Sequence, residues 1–368
     1  MKTFTVTIHH TTNYGAVLQT YALQQSILSM GYENEVFEFD ENVENASSSI
    51  IKKMISNPIN GAKFLVGKLL KLRNIKAINR RKNAFENFRS SHLKLSKTYY
   101  SMDELRKNPP DADILFTGSD QVWRFKEDNE FTEAYFLDFG KDNVKKYSYS
   151  ASIEKLNYSN EQIEKVKDWL RDFNGIALRE QTAAEYIHNI TGYPTCRVLD
   201  PVFLLKKEQW LKIARKREIQ EPYIFCYQVQ SSPRMQEIVD DLRKKTGYRT
   251  VAVLPYNIKW IKTDYAYYDV SPEEFLYLIS KAEIVVSASF HGVALGLEFD
   301  KVVYATARDN YNKRIKGIME LFEAESFFVS ESSKIPDFEN FPSLAISNRL
   351  EEEREKSLKY LSDCLKVE

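Results

Sequence analysis

The residues best able to do chemistry stand at the ends of short apolar runs. Ser289-Phe290-His291-Gly292 follows EIVVSA and opens a stretch of helical pattern. A histidine at such a junction can hold or pass a proton near neutral pH, and the N–H groups of a helix start favour an anion. The competing reading is a histidine satisfied by packing. Among the other histidines, His10 stands nearest to a comparable turn. Asn312, Lys313 and Arg314 open another predicted helix. Cations there oppose the helix dipole, so an anionic partner would offset them, and Arg314 becomes a candidate to hold one.

Gly118-Ser119-Asp120-Gln121 closes the run DILFT and offers hydroxyl, carboxylate, amide and backbone N–H groups together. Asp120 could serve as a base or bind a hydroxyl; a turn closed by its own Asx bond accounts for the same residues. Asn13-Tyr14-Gly15 separates the first predicted strand from the first helix. Gly15 lets a ligand or backbone come close, and Asn13 would equally suit a helix cap. Tyr149-Ser150-Ala151-Ser152 brings small polar residues to a strand end. Arg179-Glu180 follows GIAL, either as an anion site or as an ion pair. The chain has no GxGxxG, GxSxG, HExxH, GxxxxGK[ST] or CxxC, so neither a bound metal nor an organic cofactor is expected.

These junctions need alternating strands and helices to position them. TFTVTI, a helical stretch ending at Gly31, and EVFEF form a strand–helix–strand opening, which implies a parallel sheet with a crossover. Further strands are predicted at 113–118, 145–152 and 175–180. A second series begins near 222, with strands at 223–228 and 250–254, then EIVVSAS and KVVYA. Ser271, Pro272 and Glu274 mark a capped helix start. The break near 195–222 predicts two Rossmann-like α/β domains, 1–200 and 201–345, with 346–368 a terminal helix that could pack back on the first. In such sheets ligands bind beyond the carboxyl ends of the strands.

The bulk numbers agree. With 368 residues, 43% hydrophobic and 13% aromatic, the chain can bury two cores. Its 52 basic and 52 acidic side chains cancel, which argues against a nucleic-acid partner. Cys196, Cys226 and Cys364 make an odd, unpaired set that fits a reducing cytoplasm. The N-terminus lacks a signal-peptide apolar core, and no run approaches a membrane span. Residues 45–85 hold ten Lys or Arg and no Asp or Glu, with apolar residues interleaved. They read as basic amphipathic helices that could make peripheral contact with an anionic membrane, or as a solvated face over an internal stripe.

NYGAVLQTYALQ, TGSDQVWR, YSYSAS, ALRE, LDPVFLL and the run from SPEEFL to KVVYA, in that order, resemble the polysaccharide pyruvyl transferase family from residue 4 to about 322. The resemblance implies a GT-B-like pair of domains, the N-terminal on the acceptor side and the C-terminal on the donor side, with the site in the interdomain cleft. It implies phosphoenolpyruvate as donor substrate, and a sugar or lipid-linked oligosaccharide of a capsule or exopolysaccharide as acceptor, met at the inner face of the membrane. Carried over residue by residue, His291 and Asp120 are expected to be catalytic. Asn13, Gly15, Ser119, Gln121, Arg179, Ser289, Gly292 and Arg314 are expected to bind substrate, the two arginines holding donor anions. Many relatives read T-D-S-F-H-G; Ala288 replaces that acid here, so its role must be met elsewhere. The alternatives are a nucleotide-sugar glycosyltransferase of the same architecture and a catalytically silent glycan-binding protein.

Overall fold

A computed structural model of the chain describes residues 1–39, 75–125, 131–141, 143–219, 222–229, 232–254, 261–307 and 312–366. Its first elements are β1 (Lys2–Val6), α1 (Tyr14–Ser29), β2 (Glu33–Phe39), α2 (Ile75–His92) and β3 (Leu95–Tyr99). Then come α3 (Met102–Lys107), β4 (Ile114–Thr117), α4 (Thr132–Tyr135), β5 (Lys145–Ala151), α5 (Asn160–Leu170), β6 (Gly175–Leu178), α6 (Gln181–Thr191) and β7 (Cys196–Arg197). The second series is α7 (Lys207–Leu211), β8 (Tyr223–Tyr227), α8 (Pro233–Thr246), β9 (Arg249–Val253), β10 (Tyr265–Tyr267), α9 (Pro272–Lys281) and β11 (Ile284–Ser287). It closes with α10 (Phe290–Glu298), β12 (Val302–Ala305), α11 (Asn312–Leu321) and α12 (Ser343–Leu365).

Among the described residues, one compact unit takes 1–39, 89–204 and 353–366, and a second takes 75–88 and 205–352. The first unit carries a seven-stranded sheet of order β3-β2-β1-β4-β5-β6-β7, the second a five-stranded sheet of order β10-β9-β8-β11-β12. All the pairings are parallel. Each order reverses beside its first strand, at β1/β4 and at β8/β11. Outside the carboxyl ends of such a reversal lies the crevice where open α/β sheets take their ligands.

In the first unit α1 is buried almost all round, as a helix packed on several sides must be. Two of its buried amides bond within the unit: Gln19 Nε2 donates to Thr7 Oγ1 (2.9 Å), and Gln24 Oε1 accepts from the Lys94 N–H (2.9 Å). The end of α12 belongs to this unit. Leu361, Cys364 and Leu365 pack with Ile114, Phe116 and Ala177, and Tyr360 Oη donates to Ser148 O (3.0 Å). In the second unit the α9 start forms the reciprocal capping box, Ser271 Oγ accepting from Glu274 N (3.2 Å) and Glu274 Oε2 from Ser271 N (3.0 Å).

In this division the first unit runs to Leu204, the second reaches Glu352 in the terminal helix, and Ile75–Phe88 groups with the second unit. There Arg81 Nη1 donates to Leu254 O (3.1 Å) and Arg80 pairs with Asp269 (2.9 Å). Cations read as a solvated or membrane-facing stripe therefore serve in part as internal ties. The rest of that basic segment, through residue 74, lies outside the described residues, and with it most of the proposed membrane contact. No helix among the described residues is long and apolar enough to cross a membrane.

Candidate active site

At the β1/β4 reversal the loop Gly118–Trp123 is held from below. Trp123 is fully buried, stacks on Phe136 (centroids 5.5 Å apart), and donates its Nε1 proton to Tyr135 O (3.0 Å). Thr7 Oγ1 donates to Ser119 O (2.8 Å), tying the end of β1 to the loop. A Cβ on Gly118 would stand 2.9 Å from the Thr7 Cβ, so only glycine lets the two strand ends approach this closely.

Two neighbouring residues adopt left-handed backbone without being glycine: Asp120 (φ 74°) and Ser150 (φ 60°). They meet across the β4 and β5 ends, where Ser152 N donates to Asp120 O (3.0 Å) and the Ser119 and Ser150 hydroxyls lie 3.3 Å apart. Strain of this kind, of order 1–3 kcal/mol per residue, persists only where the surroundings enforce it, and it gathers at functional sites. Asp120 itself is half-buried, its Oδ1 accepting from Gln121 N (2.8 Å).

Beneath this loop stands a buried charge network that names a residue the sequence argument did not assign. Arg179 donates from Nη1 to Asp200 Oδ2 (3.0 Å), from Nε to Glu180 Oε1 (2.9 Å) and from Nη2 to Ser152 Oγ (3.1 Å). Asp200 Oδ2 also accepts from Ser119 Oγ (2.9 Å), and Asp200 Oδ1 from Val202 N (3.1 Å). Burial disfavours the guanidinium charge, yet Glu180, Asp200 and Asp120 together hold its pKa above the usual arginine range. Arg179 is buried with two carboxylates already on its guanidinium, so its charge is compensated within the unit. Ser119 turns its hydroxyl inward onto Asp200 and is fully buried. Both support the loop that presents Asp120 and Gln121. In the sequence Asp200 is the acid of LDPVFLL, and nothing local marks it as the partner of Arg179.

Asn13 is exposed and caps α1, its Oδ1 accepting from Gly15 N (3.0 Å), while Gly15 is buried in the first turn. Behind it, His9 and His10 stack (centroids 4.0 Å) and lie beside Glu38. Phe37 O accepts from His9 Nε2 (2.7 Å), which fixes the proton there and leaves Nδ1 as its lone-pair atom. Burial, with a smaller push from Arg89, lowers the His9 pKa to about 4 and that of His10 further, so both rings are neutral near pH 7. Among the described residues these two rings and Glu38 are the group able to hold a metal ion, their ligand atoms lying within 4.8 Å of one another. The field of Arg89 acts against a cation there.

In the second unit His291 occupies the second position of α10, buried, with its ring edge-on to Phe290 (5.2 Å). Ser289 is the N-cap residue, but it is Ser287 that organises the turn: its Oγ donates to Tyr227 O (3.0 Å) and accepts from Ser289 N (3.1 Å). A Cβ on Gly292 would collide with Ser287 Oγ and stand 2.8 Å from Tyr227 Cδ1. Glycine thus draws the helix start down onto the β8/β11 reversal, where its unbonded N–H groups lie near the strand ends. Arg314 sits half-buried in the first turn of α11, which packs on α10.

The family model described as polysaccharide pyruvyl transferase matches residues 13–310. No curated protein matches the sequence. Among solved structures, the UDP-GlcNAc 2-epimerase from Methanocaldococcus jannaschii is similar with a TM-score of 0.54 at 10% identity, covering 95% of this chain and 92% of that one. A putative UDP-N-acetylglucosamine 2-epimerase from Listeria monocytogenes gives 0.50 at 11% identity, covering 97% and 90%. At such identities the likeness is one of fold, the GT-B-like class of paired Rossmann-like sheets.

Proposed function

The chain belongs to the polysaccharide pyruvyl transferase family, and from that premise we propose that it transfers a pyruvyl group from phosphoenolpyruvate to a hydroxyl pair of a polysaccharide sugar or its lipid-linked precursor. The observation that carries the reading is the family match spanning both sheets, with each sheet's reversal fitted with the residues the reaction needs. In that reaction C3 of the enol gains a proton, C2 is attacked in turn by two sugar hydroxyls, and phosphate leaves. The two hydroxyl protons are accounted for by the new C–H bond and the departing phosphate.

His291 is the acid or base for these transfers. The α10 N–H groups, with Gly292 permitting their approach, and the Arg314 guanidinium hold donor oxygens. Ser289 and Asn13 position, and Gly15 opens the first turn. Asp120 accepts the proton of an acceptor hydroxyl or binds it, beside Gln121. Arg179 and Asp200, with Ser119, hold the Asp120 loop in its strained form and are positioning residues.

Nucleotide-sugar transfer is the second reading, favoured by the fold likeness to UDP-GlcNAc enzymes. Donor-dependent melting separates the two. Phosphoenolpyruvate at a hundred times its Kd is expected to stabilise the protein by about 2.7 kcal/mol, and UDP-GlcNAc to leave the melting temperature unchanged. The reverse pattern would exchange the readings.

A further inference from the structure

The β8/β11/β12 ladder continues one row past the named strands. Tyr227, Ser287 and Ala305 are paired in register, Ala288 N donates to Tyr227 O (3.1 Å), and Thr306 N donates to Ser287 O (3.0 Å). The next row is therefore Gln228, Ala288 and Thr306, side by side at the carboxyl end of the sheet and, by strand alternation, on one face. Gln228 and Thr306 are 0% and 1% exposed. Among the described residues, neither Gln228 Oε1, Gln228 Nε2 nor Thr306 Oγ1 has a hydrogen-bond partner. Buried polar side chains almost always find one, and leaving them without is costly. Here they flank a residue that is only a methyl group, at the topological reversal where ligands bind, beside the start of the helix that carries His291.

We infer that Gln228 and Thr306, on either side of Ala288, form a neutral hydrogen-bonding subsite for the anionic oxygens of the donor, its carboxylate or its phosphate. The amide N–H and the hydroxyl each supply a donor, and the cations stand elsewhere. Such groups remain unsatisfied in the free protein because their partner is the ligand. This inference rests on the pyruvyl transfer reading, and it supplies a local means of holding the donor where Ala288 offers no side-chain polar group.

The test uses two near-isosteric variants of the full chain, Gln228→Met and Thr306→Val. Removing an unsatisfied polar group should not destabilise the free protein, so both variants are expected to melt at or above the wild type. Binding of phosphoenolpyruvate, followed by calorimetry, is expected to weaken at least tenfold in each. Pyruvate and inorganic phosphate as separate probes show which end of the donor is held: the probe whose binding the variants weaken identifies it. Wild-type affinity in both variants would overturn the subsite. So would a lowered melting temperature in both, since that marks groups bonded to water or protein in the resting state. A wild type that does not bind phosphoenolpyruvate at all would remove the transfer reading instead. Ligand-free melting of the two variants would then still decide whether the row is built to be filled.

Discussion

His291→Ala is expected to lower turnover by about 10²–10⁴-fold, the usual contribution of a positioned acid or base, while the protein still melts cooperatively above the assay temperature. The imidazole sits in the first turn of α10, at the end of β11 and next to the β8/β11 reversal, in a turn that Ser287 and Gly292 fix tightly. A histidine that served only to pack would reveal itself differently. Its loss would cost stability in the ordinary range for a point substitution, about 0.5–3 kcal/mol, with turnover per folded molecule preserved. Melting curves recorded beside the pH–rate profiles of wild type and variant separate the two. Full activity, or activity that falls only in step with unfolding, would remove His291 from the mechanism.

Asp200→Ala is expected to destabilise the protein by about 3–5 kcal/mol, because it strands a buried guanidinium with one carboxylate fewer. The whole network loses its anchor: Asp200 Oδ2 receives both Arg179 and Ser119, and Ser119 is the residue directly before the strained Asp120. The double variant Arg179→Met with Asp200→Leu is expected to recover much of that stability, since a buried ion pair replaced by apolar groups is often neutral or better. It should nevertheless turn over slowly, because the Ser119 hydroxyl then loses its anchor on Asp200 next to the left-handed Asp120. Chemical denaturation gives the first quantity and single-turnover kinetics the second. A double variant that regained stability and full activity would show that the network does not position Asp120.

What could be read from the sequence followed from how locally each feature is determined. The α9 start was legible because Ser271, Pro272 and Glu274 act on one another within four residues. The α1 and α8 ends were legible because Gly31 and Gly247 stop their helices in left-handed conformation. The central strands announced themselves as β-branched and aromatic runs buried on both faces. β3 and β10 did not. They are sheet edges, their residues LSKTY and YAY largely part-exposed or exposed, so no apolar run marks them. The grouping of Ile75–Phe88 with the second unit was likewise hidden, since it depends on Arg81 meeting a carbonyl 173 residues away.

The candidate residues show the same division. His291 and Gly292 stood out because a strand end and a helix start are adjacent in the chain. Arg179 was found, yet its partner Asp200 was not, because their pairing is a property of the β6 and β7 ends side by side. Gln228 and Thr306 carried no local signal at all. Only the register of three parallel strands places them around Ala288.

The central claim is that this chain joins the C2 carbon of phosphoenolpyruvate to two sugar oxygens. Its most direct test is to incubate the protein with [2-13C]phosphoenolpyruvate and polysaccharide repeat oligosaccharides and to follow the label by NMR. The account predicts a ketal carbon signal attached to the sugar, appearing in step with inorganic phosphate and absent with His291→Ala. Phosphate release without a sugar-bound label, or no consumption of phosphoenolpyruvate beside transfer from a nucleotide sugar, would contradict it.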